Sequence, residues 1–429
     1  MDFADSPQEA AFRQRLRDWI DSQRPFPALP EDDDERVEYL ADWQHRLFDA
    51  GWVAVSFPEE DGGHGLPAVY EAIVLDELGA AGAPPVWHYG YVTRVIQMYG
   101  TAEQRRRFLA PAFRGEERWC QGFSEPGAGS DLSAISTRAV LDGDHYVISG
   151  QKVWTSEAHW ARWCLLLARS ETDRRRHDSL SCFILPVDSP GLTVRPFRQI
   201  TGSLEFAELF LDEVRVPVEM RVGEAGAGWR IAMSTVAFER GPADVGFIAD
   251  FRRVLGHLHE ELRAGRLRSD GDLISRLVWA GIEVEVLRLH VLSTLSRRAR
   301  GLGAEDEMSI DKLLMTRADQ GLAHVAADLV GAGMLLGQHP SILHQYMWSR
   351  AASVYGGSAQ IQRDIIATRL LGLPRSTQRP AATAGPTATA GPAATAGPAA
   401  TAGPAATAGP TATAGPTATA GPVAQPAAG

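Results

Sequence analysis

The hydrophobic pattern of this chain changes period twice, and that alternation limits the folds open to it. From about residue 7 to 116 apolar residues recur at helical spacing. Phe12, Leu16, Trp19 and Ile20 mark a helix over 8–23 that Pro25 and Pro27 end; Leu40, Trp43, Leu47 and Phe48 mark another over 37–50. Further helices are predicted over 69–79, 92–99 and 103–113, with Thr101 placed to cap the last. From about 118 to 222 the period falls to that of strands. The runs 139–141 and 145–148 flank Asp142-Gly143-Asp144 and read as a hairpin, followed by strands over 163–168, 181–187, 192–196 and 205–216. Helical spacing returns over 229–240, 245–264, 272–300, 309–330 and 361–371, with Leu277, Ile282, Val286 and Leu289 expected on one buried face. The expected fold is α+β: a helical domain over 1–117, a middle β domain over 118–222 and a C-terminal helical bundle over 223–375.

The pattern stops at Ser376. Seven copies of a six-residue unit ending in Gly-Pro run from Ala381 to Pro422, with no charge after Arg379. Such a segment cannot bury enough surface to offset ordering, and a proline every sixth residue interrupts an alanine helix, so 376–429 is expected to be a disordered tail. A net charge of −11 argues against nucleic acid and against an anionic membrane surface. The acidic start Met1-Asp2-Phe3-Ala4-Asp5 lacks the basic flank of a signal peptide, so the expected location is cytoplasmic. Cys120, Cys164 and Cys182 have no metal-ligand spacing and are expected to be small buried residues.

Three segments carry the candidate chemistry. Gln121-Gly122-Phe123-Ser124-Glu125-Pro126-Gly127-Ala128-Gly129-Ser130-Asp131 is a polar, glycine-rich loop whose backbone can approach a bulky ligand and offer N–H groups and hydroxyls. Gly150-Gln151-Lys152-Val153-Trp154-Thr155-Ser156 sets an aromatic plate beside two hydroxyls. Tyr355-Gly356-Gly357-Ser358-Ala359-Gln360-Ile361-Gln362-Arg363 precedes Leu371-Gly372-Leu373-Pro374-Arg375. A lone glycine-rich loop is weak; the three in this order and at this spacing are specific.

Together they resemble the acyl-CoA dehydrogenase family of flavoproteins, from about Pro7 to Arg375. The resemblance implies FAD as cofactor and an acyl thioester, on CoA or on a carrier protein, as substrate. It implies an electron-transfer flavoprotein as electron acceptor and a homo-oligomer, dimer or tetramer. A carboxylate takes the α proton while flavin N5 takes the β hydride. Many members carry that carboxylate one residue before the Gly-Thr-Ser run of the late motif; here the position is Gly356. Other members carry a Glu followed by Arg early in the C-terminal domain, which points to Glu239, with Arg240 on the substrate. By the same resemblance Gln121, Phe123 and Ser124 line the flavin pyrimidine ring. Ser130 lies where pyrophosphate and pantetheine pass. Trp154 packs on the isoalloxazine, with Thr155 beside it and the Ser156 hydroxyl near N5. Gly357 lies near the thioester carbonyl, and Ser358 and Gln360 lie at the adenosine diphosphate side of FAD.

Two features depart from the family. The stretch 260–270 lacks Arg-x-x-Phe-Gly, which holds the FAD pyrophosphate across a subunit interface, and only Gly331-Ala332-Gly333 remains of Gln-x-x-Gly-Gly-x-Gly. They leave open a subunit that needs a homologous partner to complete its site. A flavin oxidase or monooxygenase on the same fold is the other alternative, because chemistry resides in the site rather than in the fold.

Overall fold

The computed structural model describes residues 4–30, 32–86, 90–171, 176–238, 242–303 and 306–374. The expected disordered tail, Glu239, Arg240 and Arg375 lie outside the described residues. The N-terminal helices are α1 (Pro7–Ser22), α2 (Asp33–Asp49), α3 (Ala68–Ala81), α4 (Gly90–Tyr99) and α5 (Ala102–Phe113). α1 opens with a reciprocal cap between Ser6 and Glu9, and α5 with one between Thr101 and Gln104. α2 begins a turn earlier than apolar spacing indicates. Asp32 caps it and Asp33, Asp34 and Glu35 occupy its first turn, where acidic residues suit the helix dipole but add nothing to the apolar stripe.

The middle strands are β1 (Trp119–Gly122), β2 (Arg138–Asp142), β3 (His145–Ser156), β4 (Trp163–Arg169), β5 (Leu180–Pro186), β6 (Leu192–Phe197), β7 (Phe206–Pro217) and β8 (Arg221–Val222). They form one sheet in the order β6-β7-β3-β2-β4-β5-β8, with β1 parallel to β4. The expected hairpin is β2–β3, but β3 runs on to Ser156 and so carries the whole second motif. β1 has too few residues to show alternation, and the sequence pattern does not mark it. β4 and β5 are buried almost continuously because the sheet is covered on both faces there. One apolar core joins Leu165, Leu167, Cys182 and Ile184 to the N-terminal helices; the other sheet face buries Ile148, Leu166, Phe183 and Leu209. All three cysteines are buried.

The C-terminal helices are α6 (Gly228–Phe238), α7 (Pro242–Arg263), α8 (Gly271–Ala299), α9 (Met308–Val330), α10 (Ala332–Leu335), α11 (Pro340–Trp348) and α12 (Ala359–Ile365), the last continued by a π turn over Ile366–Leu370. One expectation for α8 fails. Leu277 is buried, but Ile282, Val286 and Leu289 are 43%, 47% and 37% exposed. The inward stripe is Leu277, Ala280, Val284, Leu287, Val291 and Leu295. The helix is apolar on two faces, so periodicity alone could not choose between them.

α3 and α7 cross closely at Gly79. A Cβ there would stand 2.7 Å from the Ala249 Cβ and 3.3 Å from the Gly246 carbonyl oxygen, neither of which can swing away. Gly79→Val should therefore destabilise the protein by about 1–3 kcal/mol, read as a lower urea midpoint with native circular dichroism before the transition. An unchanged midpoint would mean that the crossing has slack.

Candidate active site

The first two motifs meet where β1 runs out beside β3. The β3–β7 register slips between Lys152/Leu209 and Thr155/Ala207, so that Val153 and Trp154 together oppose Glu208. Such a bulge re-aims a side chain. Here Trp154 takes φ 61°, a left-handed conformation that costs a β-strand tryptophan about 1–3 kcal/mol. Its indole is consequently 59% exposed and is held at its edges by Phe197 and Phe206, with ring centroids 5.1 and 5.7 Å away. Thr155 on the next position is fully buried. Its Oγ1 and the Oε1 of Gln121 are buried atoms with no hydrogen-bond partner among the described residues. A flat apolar plate with two unsatisfied polar atoms in the same pair of motifs suits a planar heterocycle bearing polar edges.

A buried ion pair holds the two motifs together. Lys152 Nζ lies 2.8 Å from Glu125 Oε1 and also donates to the Phe123 carbonyl at 3.1 Å. The lysine side chain is wholly buried and that of Glu125 is 5% exposed. Glu125 further accepts from the Ser136 amide, the Ser136 hydroxyl and the Thr137 amide. The backbone of Val153 donates to the Ser124 carbonyl at 2.9 Å, and Glu125 and Ala128 exchange both amide bonds around Pro126-Gly127. Burial alone would raise the Glu125 carboxyl, but the ammonium and the Ser136 and Thr137 bonds together lower it to about 2. Burial pulls Lys152 down to about 8 against the attraction of Glu125. The two residues sit in different motifs, and a separation of 27 positions leaves no local signal of their pairing.

Phe123 is buried, Ser124 and Ser156 are half-buried, and Ser130 is exposed at the loop tip. All four lie within the first two motifs. Gly356 and Gly357 have φ 60° and 86°, which only glycine adopts readily, and Gln362 Nε2 donates toward both their carbonyls at 3.5 and 3.3 Å. Ser358 caps α12, and Gln360 is exposed on it. No described contact joins Ser358 or Gln360 to the β1–β3 site. Phe206, which flanks Trp154, also stacks on Trp348 of α11 at 6.4 Å and 8° between planes. Trp348 is a wall of a cavity of about 180 Å3 among α7, α9, α11 and Tyr355. The sequence pattern gave no notice of this cavity, because its lining comes from four separate segments.

Comparison with known families decides the kinship. The N-terminal, middle and C-terminal domain profiles of acyl-CoA dehydrogenases match residues 6–116, 120–214 and 226–371. The chain belongs to the acyl-CoA dehydrogenase family. It is thus an oxidoreductase of a flavoprotein family. The acyl-CoA dehydrogenase IpdE1 of Mycobacterium tuberculosis is 40% identical over 380 residues, covering 86% of this chain and 98% of that protein. Among solved structures, one described as the Tcur3481-Tcur3483 steroid ACAD matches with a TM-score of 0.76 and 26% identity, covering 88% of this chain and all of that one. The ChsE4-ChsE5 complex from Mycobacterium tuberculosis matches at 0.74 and 27%, with the same coverage. No described helix of this dehydrogenase is long and apolar enough to cross a membrane.

Removing the Lys152 charge should be costly in this dehydrogenase, because Glu125 stays buried. Lys152→Met is expected to lose about 3–5 kcal/mol in urea unfolding. Adding Glu125→Leu should restore only part of that, since the Ser136 and Thr137 amides then lose their acceptor. The pH dependence has a definite sign. Glu125 is depressed in the folded state, so its stabilisation is present above the ordinary carboxylate range of about 4 and drains away as pH falls toward 2. Lys152 is depressed too, so its contribution to stability rises between pH 8 and about 10 as the buried charge is released. A wild-type acid limb identical to that of the double variant would refute the assignment.

Proposed function

We propose that this chain is an FAD-dependent acyl thioester dehydrogenase that converts a saturated acyl group to its 2,3-enoyl thioester, with Glu239 as the base. The observation that carries the proposal is the exposed Trp154 plate together with the unsatisfied Gln121 and Thr155 atoms of the same two motifs. Those groups fit the flavin ring, together with Phe123, Ser124 and Ser156; Ser130, Ser358 and Gln360 are assigned to the rest of FAD. Bound FAD supplies the acceptor for the β hydride and its electron pair.

The protein's own task is the proton. A thioester α proton is far too weakly acidic for a carboxylate in water, so the site has to exclude water and place donors at the thioester carbonyl. Gly356 has no side chain with which to act as base. The other carboxylate position of the family is Glu239, between the end of α6 at Phe238 and the start of α7 at Pro242. Glu239 takes the α proton, Arg240 contacts the substrate, and the backbone at Gly357 lies by the thioester carbonyl. An electron-transfer flavoprotein takes the electrons onward. The kinship to a structure described as a steroid ACAD favours a bulky alicyclic acyl group over a short straight chain.

Glu239→Gln is expected to keep bound flavin while slowing anaerobic bleaching by an acyl-CoA thioester about 100- to 10,000-fold. Bleaching at the wild-type rate would move the base elsewhere.

The outer face of α8 favours an oligomer, with a second copy or a homologous subunit. Ile274, Val278, Trp279, Ile282 and Val286 expose a stripe along it, larger than scattered surface apolar residues require. A paired chain is also the form in which the ChsE4-ChsE5 complex was solved. Light scattering should report at least a dimer, and Trp279→Glu with Val286→Glu should shift it toward monomer. A wild-type monomer with full activity would remove this part of the proposal.

A further inference from the structure

The cavity beyond Trp348 contains a feature that a pocket for plain hydrocarbon does not need. Phe247, Phe251 and Val254 of α7, Met315 and Leu322 of α9 and Trp348 give it an apolar lining. Two polar side chains interrupt that lining from within: Asp319, midway along α9 and 5% exposed, and Gln345 of α11. Gln345 Nε2 donates to Asp319 Oδ1 at 2.6 Å. Burial lifts the carboxyl to about 6, against the Gln345 hydrogen bond and the charges of Arg350 and Lys312. The pair Asp250–Arg253, also on the lining, is more than half exposed and therefore belongs to the outer side.

A wholly apolar acyl chain entering here would strip the remaining water from the Asp319 carboxylate and offer nothing in return. A ligand hydroxyl would donate to it and convert that loss into a charge-assisted hydrogen bond. The volume suits one ring, since an apolar cavity of about 150 Å3 accommodates benzene. The cavity also touches the candidate active site through the stack of Trp348 on Phe206, which flanks Trp154.

We propose that Asp319, oriented by Gln345, is a specificity residue that selects acyl groups carrying a ring hydroxyl remote from the thioester. This rests on the dehydrogenase reading in one respect, that the acyl end of the substrate enters this cavity.

The test is calorimetric titration of the full chain, with its copurifying flavin and any partner, using cyclohexylpropanoyl-CoA and its ring-hydroxylated counterpart. The wild type should bind the hydroxylated thioester about 10- to 100-fold more tightly. Asp319→Leu should bring the ratio toward one. Asp319→Asn, which keeps the shape and the neighbours, should give an intermediate ratio, and melting by circular dichroism checks that both variants are folded. A wild-type ratio near one, a ratio that persists in Asp319→Leu, or no binding of either thioester would overturn the inference. Flavin bleaching run in parallel separates the two readings. A preference that depends on Asp319, with no bleaching by either thioester, supports the specificity site while sinking the dehydrogenase.

Discussion

The site depends on a charge pair with almost no contact with water. Lys152 on β3 and Glu125 in the loop after β1 bring together two stretches that share no turn and no continuous ladder. The pair also fixes orientation. The ammonium binds the Phe123 carbonyl as well as the carboxylate, and the carboxylate collects the amides of Ser136 and Thr137 at the far end of the same loop. The loop is thereby tied down at both its beginning and its end, leaving Gly127, Gly129 and Ser130 as its free tip. A buried pair of this kind is weak evidence for net stability, because desolvation offsets much of the attraction. Its value here is positional: a shift of the loop by one residue would leave both charges unpaired in the interior.

The same region of β3 also holds a strained residue. With Lys152 pinned inward, the bulge that follows has to take up an extra residue at once, and Trp154 carries the left-handed φ. Phe197 and Phe206 then keep the turned-out indole from folding back onto the sheet. Strain and anchor are adjacent in sequence for a mechanical reason, since the inward lysine gives the outward tryptophan its fixed point.

Legibility in the sequence followed the range of the interaction. The helices, caps and most strands rest on contacts within a few residues, so their periodicity and capping signals are local, as at Thr101. The family kinship was legible because its motifs are contiguous. What escaped is non-local. β1 is defined by its partner β4, not by its own four residues. The inward face of α8 is chosen by the helices around it, which is why Ile282 and Val286 were assigned to the wrong side. α11 has a mixed sequence, Pro-Ser-Ile-Leu-His-Gln-Tyr-Met-Trp, without a clear stripe, yet it supplies Trp348 and Gln345 to the cavity. The ion pair and the cavity both join residues far apart in the chain, and no window of sequence contains either.

The glycines at 356 and 357 and the early carboxylate at 239 fit one steric argument. A side chain at 356 would have to be accommodated at φ 60°, beside Tyr355, whose ring already lies 3.8 Å from the Lys312 ammonium. Glycine removes that bulk where Tyr355 meets the cavity. α7 lines the same cavity through Phe247, Phe251 and Val254, and its first residue follows directly on the Glu239-Arg240-Gly241 segment. With no side chain at 356, the backbone next to Tyr355 adds neither charge nor bulk where that residue meets the cavity. On the reading proposed above, with Glu239 as base and a ring-bearing acyl group as substrate, that room and the position of the base are two aspects of one constraint.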